Sequence, residues 1–597
     1  MATTELTGAE EVAWDLSDLF EGPDDPKLEA DVAEAESAGE AFRSRYHGGV
    51  SRLGAAELAE AVAERERIES QFDRALAFAH LRFATNMADP ARGALLARLQ
   101  ERAAALETKL LFFGLEWAAV ENDQADALLA DEAVAHWRHY LTSLRKYRPY
   151  LLSEPEERVL TEKTVSGVSA WSRLYEELLG ALRVRLDDED VSIETAMARL
   201  YSADRETRHG AAEAITEALQ PGLRTRTFVF NTILLDKSID DRLRSYPTWI
   251  SARNLSNETT DEAVQALVDA VVSRYEVARR YYRLKAGLLG LDRLAHWDRF
   301  APLTDDTVHV SWDEARSLVV AAYADFADEA GDIVDGFFGR SWIDAPVRPD
   351  KRTGAFCATT IPGVHPYVLM NYTGDRRSVL TLAHELGHGL HGVLAQPLGL
   401  FNASTPLTTA ETASVFGEAL TFKRLLAAED DPRRRLDLLA GRLEDALATT
   451  FRQISMNRFE DVVHTSRRTE GELAPEKLNE HWLAAQETLF EDTVDTSGYD
   501  AWWSYVPHFA AVPGYVYAYA YGYLFSLAIF QRYEEEGEAL VEPYFELLRA
   551  GGSRSPEELA KIVDLDLSDP AIWASGIDAL AEQLDEAEGL AAELGLT

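Results

Sequence analysis

The sequence predicts a mainly α-helical fold with one short β-rich segment, and three observations carry that reading. Apolar residues recur at three- and four-residue spacing along most of the chain, as in AELAEAVAERERIESQFDRALAFAHLRFATNM. Ala, Leu, Glu and Arg dominate those stretches. Between 341 and 375 alone the composition turns to Pro, Gly, Thr and β-formers.

Taken in order, residues 24 to 145 read as an antiparallel helical bundle. Pro149 and the SEPEE stretch at 153 to 157 mark a break. A second helical series follows, through EELLGALRVRL to TDEAVQALVDAVVSRYEVARRYYRLKAGLLGL. Three divisions are expected: a helical lobe at 1–115, a helical connecting region at 116–200 and a catalytic domain at 201–597. Gly- or Ser-rich linkers are absent, so these are packed lobes. Within 341–375, PYVLMNY reads as a short strand between turn signals. Helices resume beyond it, interrupted at PLGLFNASTPLT and DTSGYDAWWSYVPHFAAVPG, and no repeat of 20 to 50 residues is present.

With 46% apolar residues, 12 Trp, 24 Phe and 22 Tyr in 597 residues, the chain has a globular composition despite its net charge of −43. Its basic residues are 10 Lys against 49 Arg. So acidic a surface repels nucleic acid and anionic membrane, and the one basic run, Arg433-Arg434-Arg435, follows Glu429, Asp430 and Asp431. Carboxylate richness with few lysines resembles the cytoplasmic proteins of salt-accumulating halophiles. The single cysteine, Cys357, excludes an intramolecular disulfide and reads as a small buried hydrophobe. The first twenty residues lack a signal-peptide pattern, and VYAYAYGYLFSLAIF at 516–530 is too short and too tyrosine-rich to span a bilayer, so a cytoplasmic location is expected.

The chemistry concentrates in LTLAHELGHGLHGVLA, residues 380–395. His384, Glu385 and His388 form H-E-x-x-H. On a helix the two histidines share a face about 5 to 6 Å apart and can reach one metal, while Glu385 stands beside it, placed to act as a general base. Chance produces this pattern about 0.03 times in such a chain. A helix with partly exposed histidines is the structural alternative. Gly387 and Gly389 cost about 1 kcal/mol each in a helix, which points to a close approach at the backbone, from a ligand or from a packed element.

A tetrahedral catalytic site needs three protein ligands and an open position. Leu394 occupies the place of a metzincin's third histidine. The better third ligand is Glu411 in AETASVFGEAL, read as sharing a face of a second helix with Glu418, which would orient a histidine or stabilise the helix pair. His391 reads as a neighbour of the ligands or a structural residue.

These motifs carry a resemblance. WDLSDLF, RYYRLKAGLLGLDRLAHWDRFAPL, GAFCATTIPGVHPYVLMNYTGDRRSVLTLAHELGHGLH, AETASVFGEAL and FRQISMNRFE together resemble the M3 family of zinc peptidases, of the oligoendopeptidase F type, over nearly the whole chain. The resemblance implies a two-lobed ellipsoid with a deep channel and a small β-sheet beside one Zn2+, held by His384, His388 and Glu411, with Glu385 as base. It implies oligopeptide substrates cut at internal bonds, an extended substrate paired with an edge strand at HPYVLMNY, and contact from Tyr367. His365 there either contacts substrate or ends the strand. It further implies oxyanion stabilisation by His508 and Tyr515, with Tyr519 or Tyr523 as the second hydroxyl, from a helix expected to start near Pro513. At least two of the five tyrosines in 515–523 are expected merely to pack. A monomer or weak homo-oligomer is expected. A carboxypeptidase or dipeptidase of similar fold, or a non-catalytic peptide-binding protein, are the competing readings.

Overall fold

The computed structural model describes residues 6–303 and 308–596. Helices dominate, as the spacing predicts. Among the described residues, seven short strands form three small sheets. They are β1 (Arg183–Leu186), β2 (Glu189–Ser192), β3 (Leu294–Ala295), β4 (Ile343–Asp344), β5 (Phe356–Ala358), β6 (Tyr367–Leu369) and β7 (Val494–Asp495). β1 and β2 are an antiparallel hairpin, β3 and β7 a parallel pair, and the third sheet runs in the order β4-β6-β5.

The hairpin departs from the expected helix through RVRL. Arg-Val-Arg-Leu alternates with the two-residue period of a strand, and Asp187 and Asp188 both take positive φ, 48° and 66°, which a two-residue hairpin turn requires. The strong helical pattern just before it, Val168–Gly180, masks this local signal.

The chain forms two compact units, and neither is contiguous. One comprises residues 1–148, 308–425 and 532–566; the other comprises 149–307, 426–531 and 567–597. The units therefore follow other boundaries than 115 and 200. One crossing falls at Pro149.

In the first unit, α1 (Pro26–Tyr46), α2 (Ala55–Ala84) and α3 (Pro90–Ala119) pack on one another as the expected bundle. Asp25 and Asp89 cap α1 and α3, each followed by proline at the first helical position. The buried core of the bundle, with Phe42, Phe72, Phe113 and Trp117, continues to Ile361, Val364 and Tyr367. The small sheet is thus anchored to the bundle. After it come α4 (Arg376–Ala395), capped by Asp375, and α5 (Thr412–Ala427).

The second unit contains α6 (Gln453–Glu470) and most of α7 (Tyr517–Glu536). Its core holds buried charge in matched sets. Asp298, fully buried, accepts from Arg205 and Arg208, and the buried Lys285 ammonium donates to Glu444 at 2.7 Å. Buried ions paired in this way avoid the several kcal/mol that a lone one costs.

Candidate metal centre

α4 brings the H-E-x-x-H residues onto one helix, and glycine brings the next element against it. An ideal Cβ on Gly387 would lie 2.3 Å from the Ala413 carbonyl oxygen and 2.6 Å from the Ser414 Cα. One on Gly389 would lie 2.5 Å from Phe337 Cζ. The close approach inferred from these glycines is therefore helix packing, and at Gly387 it docks the start of α5 onto α4. Tyr323 strengthens the join. Its hydroxyl donates to the Ala383 carbonyl at 2.7 Å, in the space left by Gly417. Tyr544 donates to the Thr412 carbonyl at 3.1 Å.

Glu411 is not inside the second helix, as its spacing from Glu418 suggests, but at the turn just before α5, with φ −85° and ψ 1°. From there one carboxylate oxygen, Oε2, lies 3.3 Å from His384 Nε2 and 3.5 Å from His388 Nε2. One ligand atom from each of these three residues falls within 4.8 Å of the others. Glu418, on α5, faces the other ring nitrogen of His384 at 3.2 Å, so it does orient a histidine. Ser414, which sequence reasoning passed over, donates to Glu411 Oε2 at 2.6 Å. Its position three residues after Glu411 was the available signal.

Burial raises the Glu411 carboxyl, but the hydrogen bond from His384 and the charge of His388 outweigh it and hold the group well below the carboxylate range. Burial pushes His388 down to about 4, with Glu411 opposing. Glu385 is the converse: burial raises it to about 7, and its Oε2 has no hydrogen-bond partner among the described residues. The two carboxyls, Glu385 on α4 and Glu411 at the turn before α5, are thus driven apart by their environments.

The cluster opens into a cavity of about 520 Å³, lined also by Ala355, Phe356 and Cys357 of the β5 segment and by His391. His391 is buried, and burial lowers it to about 4. The Cys357 thiol is pushed well up by burial, then by Glu385, as befits an inert side chain.

The expected substrate strand needs correction. β6 is the central strand, flanked by β4 and β5, so it has no free edge; β5 has one. Tyr367 is buried between Trp14 and His365, and His365 stacks on Trp342 at 3.8 Å while its Nε2 meets Asp18 at 3.0 Å. Neither lines the cavity. Of the two alternatives for His365, the structure supports the strand-ending one.

In the second unit α7 starts at Tyr517, not near Pro513, because Gly514 takes φ +76° and turns the chain first. The tyrosines then sort by face. Tyr517 accepts from Asn257 at 2.8 Å, Tyr521 packs on Trp573, and the Tyr523 hydroxyl is closed off in the interior. Tyr523 is therefore no substrate contact. Tyr515 and Tyr519 stay partly exposed and cluster with His508; the Tyr519 hydroxyl lies 3.3 Å from His508 Nε2, and the Tyr515 and Tyr519 rings meet edge-on at 5.0 Å.

Two histidines and a glutamate converging beneath a cavity, in a mainly helical protein, define a candidate metal-dependent hydrolase. Comparison with known proteins specifies it. Residues 198–578 match Peptidase family M3 and residues 116–183 match Oligopeptidase F. The chain belongs to peptidase family M3 and is a metallo-endopeptidase acting on peptides. It is 28% identical to Oligopeptidase PepF of Bacillus subtilis, over 97% of this chain and 87% of that one. In fold it is similar to a putative peptidase from Chlamydophila abortus, with TM-score 0.85, 21% identity and coverage of 97% and 98%. Oligoendopeptidase-F from Enterococcus faecium gives 0.72, 21%, 94% and 98%. Among the described residues, no helix is long and apolar enough to cross a membrane.

Proposed function

We propose that the chain is a zinc-dependent oligoendopeptidase that cuts internal bonds of short unfolded peptides, with one Zn2+ held by His384, His388 and Glu411. The convergence of the three donors carries this reading. Their separations of 3.3 and 3.5 Å match the edges, about 3.3–3.4 Å, of a tetrahedron with ligands roughly 2.0–2.1 Å from its centre. Zinc there would supply Lewis acidity toward a peptide carbonyl and lower the pKa of water.

The chain's own residues do the rest. Glu385 takes the proton of the attacking water and returns it to the leaving amine, a task suited to a carboxyl held near neutrality. Glu418 accepts from His384 Nδ1 and leaves Nε2 free for the metal. The substrate backbone lies along the free edge of β5, where main-chain hydrogen bonds give affinity with little sequence selectivity. His508, Tyr515 and Tyr519 donate to the developing oxyanion; their partial exposure supports them over the buried Tyr517, Tyr521 and Tyr523.

Metal analysis alongside mass-spectrometric cleavage mapping of a peptide library tests the proposal. One zinc per chain and internal cuts are expected; release of terminal residues alone would sink it. Glu385→Gln should keep the metal and lose about 10²–10⁴ in turnover.

The net charge of −43 and the lone cysteine support a cytoplasmic, salt-adapted enzyme acting as a monomer or weak homo-oligomer. Its melting temperature should rise between dilute buffer and molar KCl. An unchanged value would refute the salt adaptation.

A further inference from the structure

Glu460 on α6 is 1% exposed, and among the described residues the one hydrogen bond its carboxylate makes runs from the Gly514 N–H to Oε1 at 2.8 Å. Its Oε2 is buried with no partner among the described residues. A carboxyl is a costly residue to bury for packing alone, which Leu or Met would serve better. Burial pushes it up to about 8, so near neutral pH it is mostly the uncharged acid and glutamine is a close mimic.

The carbonyl of Pro513 belongs to the same planar peptide unit as the Gly514 N–H, and it accepts from Arg253 Nε at 3.4 Å. Both poles of one peptide group are therefore held, from different elements. Beneath it lies Trp249, stacked on His464 at 4.4 Å and bonded through its indole N–H to Asp461. An ideal Cβ on Gly514 would stand 3.3 Å from Trp249 Cζ3, at a φ of +76° that L side chains rarely adopt. The turn has little freedom. Tyr515 follows directly, its N–H bonded to the Val512 carbonyl, and its ring stands with Tyr519 and parallel to His508 at 5.9 Å.

We propose that Glu460 is a positioning residue which, with Arg253, clamps the Pro513–Gly514 peptide unit and so sets where Tyr515 presents its hydroxyl. The inference rests on the reading of Tyr515 as an oxyanion donor. Glu460 touches no substrate; it acts through the backbone.

The test is a double-mutant cycle on the full-length, metal-loaded enzyme, reading kcat and KM separately. Glu460→Ala should lower kcat roughly tenfold with KM within about twofold, a fraction of what a lost donor costs. Glu460→Gln, which keeps a neutral acceptor, should stay within about twofold of wild type in both. Glu460→Ala combined with Tyr515→Phe should be no slower than Tyr515→Phe alone, because both act through one hydroxyl. Should Glu460→Ala fail to fold, Arg253→Met, with a smaller fall in kcat, carries the same cycle. Multiplying effects, a Gln variant as slow as the Ala variant, or a change confined to KM would overturn the clamp. A wild-type rate for Glu460→Ala beside a slow Tyr515→Phe overturns it alone; a wild-type rate for Tyr515→Phe removes the reading beneath it as well.

Discussion

α4 and α7 each carry a stretch of repeated polar side chains, yet they differ in what decides which of those side chains can act. On α4, His384 and His388 share a face by spacing alone, and Gly387 lets the following segment close on them from the side. On α7 and the turn before it, five tyrosines alternate with small residues, and burial selects among them: Tyr517, Tyr521 and Tyr523 pack, while Tyr515 and Tyr519 stay partly exposed. Spacing suffices to put two candidate ligands on one face. It fails where identical side chains serve packing and function.

The sharpest way to break that contrast is to treat the tyrosines alike. Tyr519→Phe should cost about 10²–10³ in kcat, whereas Tyr517→Phe, which only loses the bond from Asn257, should leave kcat unchanged and lower stability by about 1 kcal/mol. Equal rates for the two variants would show that burial does not sort them. A smaller effect is expected on the α4 side: Glu418→Gln should weaken metal affinity by about 10–100-fold, read by competition with a chelator, while His384, His388 and Glu411 remain.

Gly387→Ala probes the packing that makes α4 a site. Its new methyl would meet the Ala413 carbonyl, so stability should drop by about 1–3 kcal/mol and metal affinity with it. Loss of stability with unchanged metal affinity would mean that Glu411 is positioned by something other than this contact.

A further contrast lies in pH dependence. His296, stacked on Tyr499 with Nδ1 unpartnered among the described residues, is lowered from 6.5 to about 3 by burial and then by the charge of Arg299. The unfolded chain binds this proton below about pH 6.5 and the folded chain does not until about 3. Stability is therefore fully present above 6.5 and falls across that window, by up to about 1.4 kcal/mol per pH unit. Melting curves between pH 5 and 6.5 should show a shallower slope for His296→Phe than for wild type.

Much of this is legible in the sequence. The helical bundle and the motif helix follow from period, and the choice of Glu411 and Glu418 as residues that meet the motif histidines follows from residue chemistry. The β1–β2 hairpin was hidden because four alternating residues cannot outweigh the helical run before them. The free edge was misplaced at HPYVLMNY because a strand's sequence says it is extended and apolar, but not whether it has one neighbour or two.

By itself, then, the sequence determined that His384 and His388 share one helix face with Glu385 beside them, since spacing on a helix is a local property. Only the tertiary structure decided that Glu411 sits at a turn, that β5 offers the free edge, and which tyrosine hydroxyls remain accessible. Those depend on which distant segments pack together, and close packing of segments far apart in the chain leaves no periodic trace in either one.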